Sequence, residues 1–139
     1  MAKFVSLPDL HWVGGDFPWQ LQSALVWESD ALGTIRVPSG YRTDLASVPR
    51  LPIIHALAGG RAHMPAVLHD FLYEHHNTLR ITRKQADVAF LQAMIAVDEP
   101  ANAFTRYAMY FGVRMGGWFV WRRHKPHADD RIRSHERDE

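Results

Sequence analysis

Two amphipathic segments separated by only a few residues constrain the fold of this chain more than any other feature. Apolar residues recur at helical spacing from about residue 61 to 76 and again from about residue 82 to 97, which predicts two α-helices. Thr82 opens the second helix with Gln85 three residues later, the signature of a capping box. Because the connection at residues 77–81 is short, we expect the helices to pack antiparallel with their inward faces in contact.

Each inward face carries a polar side chain where a core residue would be expected. His69 and Tyr73 lie one turn apart on the first helix, and Asp87 lies beside the apolar stripe of the second. An imidazole held by a buried carboxylate is fixed in tautomer and becomes a better base, which is how a hydrolase activates water. A His–Asp hydrogen bond is also a common way to satisfy polar groups between helices. The spacing therefore leaves a catalytic and a structural interpretation open.

Two other carboxylates are candidates for the same site. Asp70 points about 100° away from His69 on its helix, so we expect it to hold a hard cation such as calcium or magnesium beside the base. Asp44 lies in the segment SGYRTDLASVPR at residues 39–50, which is predicted to be an ordered loop because Pro49 disfavours helix before it. Asp44 is interpreted either as a cap of its own loop or as a ligand and partner of Arg50.

The composition argues against several classes of protein. A formal net charge of only +1 predicts no nucleic-acid-binding surface. The chain has no cysteine, which excludes disulfides and thiolate metal sites, and its nine histidines lack the spacing typical of zinc sites. The N-terminal residues do not resemble a signal peptide, and Arg106 and Arg114 interrupt the last apolar helix, so no membrane span is expected.

The remaining pattern predicts a mainly α (α+β) domain. The stretches QLQSALVWE and TIRVP flank a turn cluster and predict a small β-hairpin near the N-terminus. The other predicted elements are a short helix at residues 51–58, a last long helix at residues 101–123 and a charged, disordered tail at residues 124–139. We therefore expect a single domain over residues 1–123, in which the hairpin is followed by a bundle of three to four helices.

The last predicted helix carries aromatic and basic residues close together. Trp118, Trp121 and Arg122 form a combination that suits a phospholipid surface or a groove on a partner protein. Aromatic residues at helical spacing are more often part of a core. The pattern alone does not decide between these interpretations, and it does not predict an oligomeric state.

The segments PAVLHDFLYEHH and QADVAFLQAM resemble the His-Asp-x-x-Tyr helix and the later Ala-Asp-x-x-Phe helix of phospholipase A2 enzymes, notably the viral capsid type. The resemblance covers about thirty residues and implies a phospholipase A2-like helix pair. It also implies that His69 is the base that activates water, that Asp70 binds calcium, and that Asp87 orients His69 with help from Tyr73.

A wider pattern resembles a family of small phage and prophage proteins of unknown function. It comprises VPSGYRTDLASVPR, PAVLHDFLY and RKQADVAFLQAM, and it extends over roughly residues 20 to 118. The resemblance implies a phage or prophage origin, a place in the host cytoplasm or the virion, and other phage structural proteins as partners. It also implies that Asp44 belongs to the same site as the two helices. A non-catalytic virion or host-interaction protein is therefore the alternative to a hydrolase.

Overall fold

The computed structural model describes residues 2–44, 64–97 and 103–123. The strands in these segments are β1 (Lys3–Ser6), β2 (Leu10–Trp12), β3 (Trp19–Leu21), β4 (Leu25–Ser29), β5 (Gly33–Val37) and β6 (Arg42–Thr43). The helices are α1 (Met64–Glu74), α2 (His76–Leu79), α3 (Arg83–Ala96), α4 (Ala103–Gly116) and α5 (Trp118–Arg123). The N-terminal third of the chain therefore consists of strands, and the later segments consist of helices.

The strands form two antiparallel sheets of three strands each. One sheet has the order β1–β4–β5, and the other has the order β2–β3–β6. In the first sheet, β4 and β5 form the predicted hairpin, with Trp27 opposite Ile35. In β4 buried residues alternate with more exposed ones, which is the period of a strand with one covered face. In the second sheet, Trp19 of β3 pairs with Thr43 of β6.

One hydrophobic core joins the first sheet to the helices. Trp27 is fully buried in β4, and α1 and α3 pack against each other on the helical side of this core. Its buried residues are Leu21, Leu25, Trp27, Ile35, Val37, Met64, Val67, Leu68, Leu72, Tyr73, Ala86, Ala89 and Ala93. A smaller cluster of Phe90, Met94, Met109 and Val113 lies between α3 and α4. The helix pair is thus fixed on one side by the sheet and on the other by α4.

The start of α3 follows the sequence prediction closely. The Thr82 hydroxyl accepts a hydrogen bond from the Gln85 backbone amide, and the Gln85 side chain accepts one from the Thr82 amide. This capping box satisfies two amides that the helix itself leaves unpaired. Arg80, which precedes the cap, has the left-handed conformation that ends α2. The short connection therefore reverses the chain as predicted and fixes the position of Asp87, which lies one turn into α3.

The prediction of a mainly α fold, with a small hairpin followed by a helical bundle, is wrong. The described residues contain six strands in two antiparallel sheets, which make this an α+β fold. The second sheet was not predicted, because its strands β2, β3 and β6 are only two or three residues long, which is too short to show an alternating pattern. β6 lies within the segment that was predicted to be a loop.

The predicted helix boundaries also need correction. The helix predicted to run from about residue 61 to 76 ends at Glu74 in α1, and the separate short helix α2 follows it. The single long helix predicted for residues 101–123 is divided into α4 and α5 at Gly117. The predicted helix at residues 51–58 and the predicted tail at residues 124–139 lie outside the described residues. Within the described segments, no helix combines the length and the apolar character that crossing a bilayer requires.

Candidate functional site

The imidazole of His69 and the carboxylate of Asp87 meet between α1 and α3. The His69 Nε2 atom lies 2.7 Å from Asp87 Oδ1, and both side chains are completely buried. The contact joins two helices that are separated in sequence by a cap and a short connection. It is the contact that the spacing of the two residues predicted. A buried His–Asp pair of this kind fixes the orientation of the imidazole ring.

Tyr73 completes a three-residue cluster around the same carboxylate oxygen. Its hydroxyl donates a hydrogen bond of 2.5 Å to Asp87 Oδ1. Burial, together with the hydrogen bond to the Asp87 carboxylate and its charge, raises the pKa of Tyr73 well above its usual range. Tyr73 therefore keeps its proton and acts as a donor. The sequence prediction that Tyr73 binds the carboxylate that holds His69 is confirmed.

Asp87 is ionised in this cluster, and its charge determines which nitrogen of His69 carries a proton. Burial alone raises the pKa of Asp87, but hydrogen bonds from His69, Tyr73 and Arg114, with the positive charge that His69 carries when it is protonated, outweigh it and lower the pKa below its ordinary value of 3.8. An ionised carboxylate only accepts hydrogen bonds. His69 must therefore donate through Nε2, which leaves the lone pair of a neutral imidazole on Nδ1.

Two arginines contact the second oxygen of the Asp87 carboxylate. Arg114 of α4 donates to Asp87 Oδ2 at 2.9 Å, and Arg83, one turn before Asp87, donates at 3.4 Å. Arg83 also donates to the backbone carbonyls of Val113 and Arg114 in the last turns of α4. The buried charge of Asp87 is thus compensated, and the same arginines hold α3 against α4.

Aromatic rings fix the position of the His69 imidazole on both sides. Its ring centre lies 4.2 Å from that of Tyr73 and 4.8 Å from that of Phe90. Tyr73 in turn packs edge-on against Trp121, and Trp121 stacks on His76 with ring centres 3.6 Å apart. The imidazole is therefore held by packing as well as by the hydrogen bond to Asp87.

Gly117 allows the close packing that Tyr73 requires. A Cβ atom at this position would lie 2.5 Å from the Tyr73 hydroxyl oxygen and 2.5 Å from the Val113 carbonyl oxygen. Distances of this size are far inside van der Waals contact, so any side chain at residue 117 would displace Tyr73 or the backbone of α4. The glycine between α4 and α5 thus has a packing cause at the site.

Asp70 faces away from His69, as its position on the helix predicted. The Tyr41 hydroxyl lies 3.3 Å from Asp70 Oδ2 and donates at 2.7 Å to Glu74 Oε2, one turn later on α1. The Thr43 hydroxyl also donates to Asp70 Oδ2. Burial and the negative charges of Asp70 and Glu74 raise the pKa of Tyr41 well above its usual range, which keeps it a donor. Asp70 therefore ties α1 to the second sheet.

These contacts bear on the predicted cation site. The Asp70 oxygen Oδ2 accepts a hydrogen bond from the Thr43 hydroxyl and lies close to the Tyr41 hydroxyl. Across residues 2–44, 64–97 and 103–123, no group of three or more His, Asp or Glu side chains is placed to hold a metal ion. The residues described do not fit a formed calcium site, and calcium at Asp70 stays a prediction.

The other predicted site residues fall in three kinds of environment. Asp44 is half-buried and directly follows Thr43 at the end of β6, so the chain at Asp44 reaches the same face of α1 as Asp70. Arg50 lies outside the described residues. Trp118 is 37% exposed, and the Arg122 guanidinium lies 4.9 Å from the centre of its ring. Trp121, by contrast, packs inward against Tyr73 and His76.

Sequence reasoning missed four residues that complete the site: Arg83, Arg114, Tyr41 and Thr43. Arg83 could have been found, because a basic residue four positions from an acidic one lies on the same helix face. Arg114 was noted only as an interruption of an apolar run. Tyr41 and Thr43 reach Asp70 across 29 and 27 residues of sequence, and no local pattern signals such a contact.

Comparison with known proteins identifies a family. Residues 19–113, which are more than half of the chain, match the family model described as a protein of unknown function, DUF1353. No curated protein and no solved structure matches the chain significantly. The matched range contains every residue of the His69–Asp87–Tyr73 cluster. The expected membership in a family of unknown function is confirmed, whereas the likeness to phospholipase A2 and the phage origin stay predictions.

Proposed function

The chain belongs to the DUF1353 family of proteins of unknown function, and we propose that it is a hydrolase in which His69 activates water to cleave an ester. One observation carries the proposal: His69 Nε2 and the Tyr73 hydroxyl both bind Asp87 Oδ1, at 2.7 and 2.5 Å. This arrangement fixes the imidazole as the tautomer with its lone pair on Nδ1. A general base is effective when its ring is held in one orientation and one tautomer.

The reaction follows from these roles. Nδ1 of His69 takes a proton from water as the water oxygen forms a bond with the ester carbonyl carbon. Asp87 stabilises the imidazolium that results, and Tyr73 and Arg114 keep Asp87 in place. The carbon–oxygen bond to the alcohol then breaks, and His69 returns its proton to the leaving oxygen. The products are a carboxylic acid and an alcohol, and His69 ends as the neutral base.

The proposed substrate is a phospholipid. This class is supported by the likeness of the segments PAVLHDFLYEHH and QADVAFLQAM to the two helices of phospholipase A2 enzymes. A phage or prophage origin is part of the same proposal, supported by the wider sequence pattern. No step is assigned to calcium, because among the described residues no group of three or more His, Asp or Glu side chains is placed to hold a metal ion.

The complete burial of the cluster favours a second candidate function. His69, Tyr73 and Asp87 each have 0% of their surface exposed, and Asp87 accepts hydrogen bonds from four side chains. A closed and fully satisfied polar cluster is also what holds helices in register in a protein without catalysis. The second candidate is therefore a non-catalytic accessory protein of a phage particle or of its contact with the host.

Turnover by a His69→Gln variant separates the two candidates. Glutamine keeps a side-chain N–H group for Asp87 but cannot take a proton from water, so we expect release of fatty acid from phospholipid vesicles to fall by at least about a hundredfold. His11→Gln, on the exposed face of β2, serves as the matched control and is expected to keep the wild-type rate. Circular dichroism of both variants tests whether they are folded.

Two other results would contradict the assignment of His69 as the catalytic base. If the wild-type protein releases no fatty acid, or if His69→Gln releases it at the wild-type rate, His69 is not a catalytic base. His69→Ala then distinguishes the accessory protein, because loss of the buried imidazole would lower the free energy of unfolding without any activity to lose.

A further inference from the structure

Helix α4 is apolar on two opposite sides, and among residues 2–44, 64–97 and 103–123 only one of these sides has a buried apolar cluster against it. Met109 and Val113 are buried against α3. Tyr107, Phe111 and Met115 lie on the other side at intervals of one turn and are 49%, 59% and 81% exposed. A soluble helix normally exposes a polar face opposite its buried apolar face, and α4 instead exposes large apolar side chains there. The exposed side chains of Tyr107, Phe111 and Met115 therefore indicate a surface that binds another apolar surface.

The exposed row continues into α5 and is accompanied by positive charge. Trp118 is 37% exposed, and the Arg122 guanidinium lies against its ring. From residue 103 to residue 123 the sequence contains four arginines and no aspartate or glutamate. We call the set Tyr107, Phe111, Met115, Trp118 and Arg122 the aromatic–basic stripe. Such a combination is typical of helices that lie in the interface of an anionic membrane.

We propose that the aromatic–basic stripe is a peripheral binding surface for membranes that contain anionic phospholipid. The apolar side chains would enter the boundary between headgroups and acyl chains, and Arg122 would contact phosphate groups. Membrane binding by the stripe goes beyond the proposed reaction. It does not depend on His69, and it holds equally for an accessory protein without activity. The described helices are too short to span the bilayer, so the binding is to its surface.

Charge favours a lipid surface over a second copy of the chain. A two-fold dimer through the stripe would bring the positively charged helices of both copies to one interface, and α4 and α5 have no carboxylate to compensate that charge. Arg114 is the arginine of α4 that pairs with Asp87, and 30% of its side chain remains exposed beside the stripe. An anionic headgroup layer supplies the missing negative charge.

Cosedimentation with vesicles tests this surface without any contribution from turnover. The vesicles contain ether-linked phosphatidylglycerol and phosphatidylcholine, which have no ester to hydrolyse, and are compared with vesicles of ether-linked phosphatidylcholine alone. We expect the full chain to bind the anionic vesicles more tightly and to lose affinity as salt is raised. Phe111→Ser is expected to weaken binding about tenfold or more, and Arg122→Gln is expected to reduce the dependence on salt.

Phe17→Ser is the matched control. Phe17 is 54% exposed, close to the 59% of Phe111, but lies in the connection between β2 and β3. Its loss is expected to leave binding unchanged. The proposal is overturned if the wild type does not bind anionic vesicles, or if Phe111→Ser and Phe17→Ser weaken binding equally. A dimer in the absence of vesicles that Phe111→Ser dissociates would also overturn it, in favour of a second copy of the chain.

Discussion

Replacing Asp87 with asparagine is expected to lower the free energy of unfolding by about 3 kcal/mol. The carboxylate has no exposed surface and accepts hydrogen bonds from His69, Tyr73, Arg83 and Arg114. Asparagine has almost the same shape but no charge, so both guanidinium groups would lose the anion that compensates them. Urea unfolding followed by circular dichroism measures the change. Asp16→Asn, an exposed carboxylate in the same protein, is expected to have almost no effect.

The dependence of stability on pH provides a second measurement of the same contact. The pKa of Asp87 in the folded protein lies below its ordinary value of 3.8. Between the pKa of folded Asp87 and its ordinary value, the unfolded chain binds more protons than the folded protein, so the free energy of unfolding rises with pH. The stability that Asp87 contributes is fully present above its ordinary pKa and is lost as the pH falls through its pKa in the folded protein. Wild-type protein should therefore lose stability in acid more steeply than Asp87→Asn, and equal slopes would contradict the assigned charge.

Replacing Gly117 with alanine is expected to destabilise the protein by about 2 kcal/mol and to disturb the site. The added Cβ atom would lie 2.5 Å from the Tyr73 hydroxyl oxygen and 2.5 Å from the Val113 carbonyl oxygen. Neither atom can move freely, because Tyr73 is hydrogen-bonded to Asp87 and packed against Trp121. Thermal unfolding measures the loss, and weaker turnover or an altered His69 resonance would reveal the displacement of Tyr73.

Gly116→Ala is the matched control for this prediction. It lies one residue earlier, at the end of α4, and a Cβ atom there has no neighbour within 4 Å. Alanine at this helical position is expected to be neutral or to stabilise the protein by roughly 0.5–1 kcal/mol. If both alanine variants are equally stable, the close approach of Tyr73 to residue 117 is wrong. Tyr73→Phe in the Gly117→Ala background should recover part of the loss, because it removes one of the two close contacts.

The part of the site that could be predicted from the sequence is the part that depends on local chemistry. Thr82 and Gln85 fix the start of α3, and the short connection limits how α1 and α3 can pack. The helical period then places His69 and Tyr73 on the face that meets Asp87. These constraints involve residues within about one turn of each other or across one short connection, and sequence patterns report such relations directly.

The second sheet could not be predicted, because its pairing is not local. β6 consists of Arg42 and Thr43 alone, and Trp19 pairs with Thr43 across more than twenty residues. Two residues cannot show an alternating pattern, and only the finished sheet stabilises their extended conformation. The resulting contact between Thr43 and Asp70 was missed for the same reason.

The role of Arg114 also could not be inferred from its neighbours. In the sequence it interrupts an apolar run, which indicates only that the segment is not a membrane span. Its partner Asp87 lies 27 residues earlier, and the contact requires α4 to pack on α3. The division at Gly117 was missed as well, because the need for glycine arises from Tyr73 on another helix.

The state of His69 tests the central claim, that Asp87 holds its imidazole as a base, most directly. Nitrogen chemical shifts of His69 in labelled protein, recorded at neutral and mildly alkaline pH, distinguish the protonated from the unprotonated ring nitrogen. In the neutral form of the ring, we expect the proton on Nε2, directed at Asp87. A neutral ring with the proton on Nδ1 and Nε2 unprotonated would contradict the assignment of His69 as the base.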